Sequence, residues 1–432
     1  MNYIFGIFFI SFIIRIRYNI FRASKEGNIS MSTQTQKNTQ AEATSEKILT
    51  RDFILICAAN FFIFLGFQMT LPTLPLFVKE LGGSDQLIGL IVGVFTFSAL
   101  VLRPYAGKAL DTKGRRFVYM FGIGIFILSI GTYAFVTSIV LLLLLRVVQG
   151  AGWGFSTTAS GTIATDLIPP SRRGEGMGYY GMSGNVAMAI GPALGLTLVD
   201  KISFASLFLI CAACGLTTLL LSSKIRYKKV EASPHQSTNI KFDFFEKTAI
   251  QPSILLMFIT ACFGGIASFL PLYAAEKSID GIEFYFLVYA VSVLLARTFS
   301  GKLYDRKGHL YVFPPGAFLI LLAMILLTWL PNTWMMLLAA MIYGIGFGSV
   351  QPALQAWAVS KAAMHRKGMA NATFFSAFDL GIGIGAMTFG QLAYWFGYQS
   401  IYFASSISIF ISILFYFYFY YRAKQEINRR VL

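Results

Sequence analysis

Gly107-Lys108-Ala109-Leu110-Asp111-Thr112-Lys113-Gly114-Arg115-Arg116 is a short basic loop, bounded by glycines, between two long apolar runs. It returns 194 positions later as Gly301-Lys302-Leu303-Tyr304-Asp305-Arg306-Lys307-Gly308-His309. Each copy follows an arginine near the end of its apolar run, Arg103 and Arg297, at the same spacing. Gly150-Ala151-Gly152-Trp153-Gly154 is echoed by Gly344-Ile345-Gly346-Phe347-Gly348, Gly191 by Gly385, and Asn185 by Asp379. An echo at so long a period means that the chain is built twice.

What surrounds these copies is oil. Of the 432 residues, 56% are apolar and only 12% are charged, against about 25% charged in a soluble domain. Aromatics reach 16%, enough to supply belts at the headgroup level. The net charge is +16, but the cations sit in short loops between apolar runs. That pattern orients a chain in a bilayer and does not track a phosphate backbone, which excludes nucleic acid as partner. Cys57, Cys211, Cys214 and Cys262 all lie inside apolar runs and read as small buried hydrophobes. No His, Cys or carboxylate cluster suggests a metal, a cofactor or an enzyme, and no phosphate-cradling loop suggests an ATP-driven pump.

A helix needs about 20 apolar residues to cross a bilayer. Such runs occur at 53–78, 87–107, 117–136, 139–162, 175–199 and 203–222, then at 250–274, 283–301, 311–330, 333–357, 369–393 and 398–420. The hydrophilic segment 224–248 divides them six and six. The expected organisation is an N-terminal segment 1–50, a six-helix bundle 51–223, a linker 224–248, a second bundle 249–421 and a tail 422–432. Lys and Arg crowd the loops on one side, with Lys79, Lys201 and Lys277 on the other. The expectation is therefore a multi-pass protein of the cell membrane with both termini and the linker cytoplasmic. Residues 31–50 read as a disordered tail. Met1–Ile20 reads as an anchor, a signal peptide or a stretch ahead of the true start. Purine-rich codons for Lys25-Glu26-Gly27 would stand where a ribosome-binding sequence precedes Met31. N-terminal sequencing of the native protein tests this: a chain beginning at Met31 is expected, and one beginning at Met1 refutes it.

The motifs resemble the major facilitator superfamily, and within it the twelve-span drug/proton antiporter branch. The Gly107–Arg116 loop is similar to that family's signature between the second and third spans. Arg146-Val147-Val148-Gln149-Gly150 is similar to its fourth-span signature, and Gly184-Asn185 with Gly191-Pro192-Ala193-Leu194-Gly195 to the fifth-span signature of exporters. The resemblance covers residues 51–422. It implies an all-α membrane protein of two pseudo-twofold-related six-helix bundles, rocking about a central seam. It implies that Gly107, Asp111, Gly114, Arg115 and Asp166 form a latch. Arg115 would pair with Asp166 at the cytoplasmic end of the fourth span, tying the second span to the fourth and favouring the outward-facing state. The second copy carries His309 where a cation would match Arg115. For the fifth span it implies a bend that seals against proton leak; close helix packing explains the same glycines.

The residues themselves say more. Asp111 is placed to cap a short following helix. Arg146 carries a permanent charge into a span, at a cost of at least about 2.5–3.5 kcal/mol. It is read either as part of the proton-coupling or substrate pathway or as an arginine reaching back to the interface. Asp379 lies about mid-depth in the eleventh span among Phe374, Phe375 and Phe378, where a carboxylate can take up and release protons. The alternative is a hydrogen-bonding residue that glues helices together. Asn60, Phe64 and Gln68 in the first span and Trp357 in the tenth are candidate substrate contacts. The first span carries no acid, a departure from some drug exporters.

These readings converge on a monomeric secondary transporter, a proton-coupled exporter of a small organic molecule working by alternating access. The alternatives are an importer or facilitator of a sugar, amino acid or other metabolite on the same fold, and a receptor or scaffold that transports nothing.

Overall fold

The computed structural model describes residues 47–169, 172–227, 245–360, 362 and 367–431. The expectations for residues 1–46 and for most of the 224–248 linker lie outside the described residues. Leu49–Leu432 forms one compact unit.

Twelve helices long and apolar enough to cross a membrane make up that unit. The front half holds α1 (Arg51–Glu80), α2 (Asp85–Thr112), α3 (Arg115–Thr132), α4 (Ile139–Leu167), α5 (Arg173–Val199) and α6 (Phe204–Ser223). The back half holds α7 (Ile250–Glu276), α8 (Ile282–Lys307), α9 (Phe313–Trp329), α10 (Thr333–Ser360), α11 (Lys367–Phe396) and α12 (Gln399–Val431). With no water in the hydrocarbon, each segment satisfies its backbone within itself, and a helix does so. The starts are capped where the sequence allows. Thr50 accepts from the Phe53 amide at 3.2 Å, and Ser84 and Ser203 cap α2 and α6.

Neighbours repeat between the halves. In front α1 packs on α5 and α6, α2 and α3 on α4, and α3 on α6; behind, α7 packs on α11 and α12, α8 and α9 on α10, and α9 on α12. The seam obeys the same exchange: α2 meets α11, α5 meets α8, and α1 meets α7. The α2–α11 contact is the more extensive of the first two.

Two expectations change. The tail is not separate: the apolar part of α12 ends at Arg422, but the helix runs on to Val431. Asp111 caps nothing, because α2 continues through it to Thr112. The N-cap position of α3 belongs to Gly114, at φ 87°, with no side-chain cap. That left-handed turn is why a glycine stands there.

Candidate functional site

One end of the bundle carries the Gly107–Arg116 loop, its copy and the linker, and is called here the basic end. The other carries the α1–α2, α7–α8 and α11–α12 turns and is called the sparse end. Three side-chain bridges run from α2 to the back half. At the sparse end Asp85 Oδ1 accepts from the Tyr398 hydroxyl at 2.8 Å and pairs with Lys79 Nζ at 2.8 Å. One residue on, Gln86 Nε2 donates to Gln391 Oε1 at 3.0 Å. Deeper, Arg103 is ion-paired through its Nη2 with Oδ2 of Asp379 on α11. Between these, Gly89 lies against the backbone of Ala386 and Met387, and Gly390 against Asp85 and Gly89. The α2–α11 seam is thus closed at the sparse end. At the basic end Gly107 and Gly301 face open space.

Below that closure lies a cavity of about 60 Å³. Its wall is aromatic, from Phe64, Phe67, Phe95, Trp153 and Phe378, with Gln68, Thr96, Arg146 and Asp379 as the polar members. The rings pack on one another: Phe67 lies 4.9 Å from Phe95 and 4.4 Å from Trp153, and Phe64 lies 4.8 Å from Trp153. Pockets for drug-sized ligands run to about 300–1,000 Å³, so this is a contracted site.

Arg146 does not reach for the interface. It is 1% exposed, its Nε donates to the Ile91 carbonyl at 3.1 Å, and its Nη1 donates to Gln149 Oε1 at 2.6 Å. Its guanidinium sits 4.3 Å from the centre of the Phe95 ring, a cation–π distance. Gln149 Oε1 also accepts from the Tyr133 hydroxyl at 2.7 Å, which fixes the amide that fixes the arginine. The position one repeat later is Ala340, so this charge belongs to the front half alone.

The repeat is broken at the other key positions as well. Arg297, the copy of Arg103, donates to Gln351 Oε1 at 2.9 Å, and Asn185 stands where Asp379 would repeat. Only the α2–α11 side of the seam therefore carries the acid.

At the loop, Arg115 Nε donates to Asp166 Oδ2 at 3.1 Å and its Nη1 to the Leu110 carbonyl at 2.9 Å. Arg115 is the first residue of α3, so the pair joins the α2–α3 corner to the end of α4. It lies wholly within the front half and forms while the sparse end is closed. The copy works differently: His309 stacks on Trp357 with centroids 4.3 Å apart and shares a 2.8 Å hydrogen bond with the Tyr416 hydroxyl.

That contact removes Trp357 from the substrate contacts: its indole packs between α10, α12 and the loop copy, away from the cavity. Asn60 is removed as well. It is 3% exposed and held in a neutral network, donating to Ser183 Oγ at 2.9 Å and accepting from the Tyr180 hydroxyl at 2.9 Å. Phe64 and Gln68 do line the cavity. The fifth-span glycines face α1. An added Cβ at Gly184 would meet Asn60 at 3.1 Å, one at Gly191 would meet Gln68 Cβ at 2.6 Å, and one at Gly195 would run into the Met69 carbonyl. With Pro192 inside an unbroken α5, their visible work is to bring α5 against the cavity wall. Sequence reasoning did not single out Phe95, Thr96 or Arg103 as site residues. The arginine was visible as a repeat marker, but nothing in its own segment names Asp379 as its partner.

Comparison with known proteins gives one answer. The chain is 28% identical over 377 residues to an uncharacterised MFS-type transporter of Methanocaldococcus jannaschii, covering 83% of this chain and 95% of that one. It is 24% identical over 357 residues to the quinolone resistance protein NorA of Staphylococcus aureus, covering 77% of this chain and 87% of that one. Among solved structures it matches a bacterial homologue of the human lysosomal transporter Spinster, in an inward-facing and unoccupied conformation. The TM-score is 0.67 at 18% identity, over 86% of this chain and 97% of that one. The sequence profile of the Major Facilitator Superfamily matches residues 56–386 and again 278–430. Twelve membrane-spanning helices, doubled halves and a polar-studded cavity on their seam are accordingly those of a transporter, and the chain belongs to the Major Facilitator Superfamily.

Proposed function

We propose that this protein exports a small organic molecule in exchange for protons, by alternating access, with its basic end and both termini in the cytoplasm. The observation that carries the reading is the Arg103–Asp379 pair. It joins the two halves at the wall of the central cavity. A proton arriving on Asp379 removes the attraction that helps hold α2 to α11 there, so proton occupancy biases which end opens. Little energy is needed: about 1.4 kcal/mol shifts a two-state balance tenfold. The cation bias of the loops supports the orientation. The α5 glycine pattern and a relative named for quinolone resistance support export.

Membrane vesicles of both orientations test it against a panel of radiolabelled compounds. In inside-out vesicles an acid lumen is expected to drive solute inward. Accumulation only in right-side-out vesicles under external acid would establish import instead. No pH-driven flux in either would leave the receptor or scaffold reading.

The Arg115–Asp166 pair has its own test. Its side chains are 19% and 23% exposed, so the ion pair contributes no more than about 1 kcal/mol. Arg115→Asp is therefore expected to slow transport by about fivefold, and the double swap Arg115→Asp with Asp166→Arg to recover most of it. A double swap as slow as the single variant would deny the pair a role.

A further inference from the structure

We infer that the central cavity takes an organic anion, an apolar or aromatic molecule whose carboxylate or equivalent anionic group docks on the guanidinium of Arg146. The inference rests on the transport reading above and names its substrate class. The first support is the unpaired charge. Arg146 lines the cavity while 1% exposed, yet its partners are neutral: a backbone carbonyl, an amide oxygen and the Phe95 ring. A guanidinium has five N–H donors in a rigid fork that fits a carboxylate. The carbonyl and the amide oxygen occupy two of the five.

The second support is the balance of the whole site. Asp379 is already matched by Arg103, and among the described residues no carboxylate lies within ion-pairing distance of Arg146. The cavity therefore holds one cation in excess. An anion on Arg146, with the Arg103–Asp379 pair intact, brings the formal charge to zero. A neutral site is the one that closes around its contents at least electrostatic cost. A cationic solute would face Arg146 directly and would have to displace Arg103 from Asp379. An inside-negative membrane potential also pushes an anion outward, in the direction proposed for this protein.

The third support is Gln68. It is 5% exposed, lines the same wall, and its Oε1 accepts no hydrogen bond. Buried acceptors without donors are rare, and a hydroxyl or N–H on the solute would satisfy this one. Phe64, Phe67 and Trp153 supply the apolar face for the rest of the molecule.

Full-length protein in lipid nanodiscs, with no gradient, is titrated calorimetrically with three matched probes: 2-naphthoate, 2-naphthamide and 2-naphthylmethylammonium. Naphthoate is expected to bind at least about tenfold tighter than the amide, and the ammonium weakest. In Arg146→Gln the naphthoate-to-amide ratio falls to near one, whereas Arg146→Lys keeps a preference for the anion. A tighter or equal amide or ammonium overturns the inference, as does an unchanged ratio in Arg146→Gln or no binding by any probe. The wild-type ranking decides by itself if the variants fail to fold. Binding without a gradient is independent of coupling, so the anion preference can fail while pH-driven export stands, and the reverse.

Discussion

Asp379→Asn removes the pH-driven component of transport while the protein still folds and reaches the membrane. Asparagine keeps the shape and an oxygen that can accept from Arg103, but it carries no charge and takes no proton. Breaking a fully buried pair by removing one partner costs about 3–5 kcal/mol. Here Arg103 and Asp379 retain 19% and 25% side-chain exposure, so water in the cavity relieves part of that cost and the helices stay assembled. What is lost is the switch. With no group at this point of the seam to alternate between charged and neutral, flux should fall at least about tenfold and become indifferent to the pH difference. Arg103→Gln should mimic this from the other side, because it leaves Asp379 without its partner. The double variant Arg103→Gln with Asp379→Asn should restore stability without restoring coupling. The measurement is initial uptake into vesicles at several imposed pH differences, normalised to protein in the membrane. Flux in Asp379→Asn that still rises with the gradient would remove Asp379 from the coupling path.

Gly89→Val should hold the sparse end open. A Cβ on Gly89 would stand 2.5 Å from the Ala386 carbonyl oxygen and 3.0 Å from Met387 Cα. Both are backbone on α11, and a helix cannot move its own carbonyl aside as a flexible side chain would move. Overpacking of this kind costs about 1–3 kcal/mol. That penalty falls on the closed form alone, so it shifts the balance toward the open form by about tenfold or more. The Gln86–Gln391 and Asp85–Tyr398 bridges would part with it. Transport should nearly cease, because one half of the cycle is blocked. The readout is a cysteine placed at Gln391 and labelled with a maleimide that does not cross membranes. Labelling should be several-fold faster in the Gly89→Val background. Gly124→Ala serves as control, since an added Cβ there meets nothing within 4 Å. Equal labelling in the two backgrounds would mean that α2 and α11 do not form the closure at this end.

Much of the architecture was readable before any coordinate. Hydrocarbon tolerates so few charges that length and apolarity identify the spans one at a time, and a repeated loop identifies the doubling. Asp111 shows where local reading stops. An acid beside a glycine reads as a cap, yet α2 runs through it and hands the turn to Gly114.

Side-chain direction was beyond reach for a related reason. Trp357 and Phe64 are both aromatic residues in apolar helices, and nothing in their flanks separates them. One stacks on His309 from the loop copy and the other lines the cavity, because helix rotation is set by every neighbour at once. The chain alone determined how many helices there are, where the polar exceptions fall and that the two halves correspond. The tertiary structure decided which exceptions meet. Arg103 and Asp379 lie 276 residues apart, and Arg146 was readable as a charge in oil but not as one without a matching acid. Pairing across such a distance is a property of packed surfaces, which no local pattern of residues encodes.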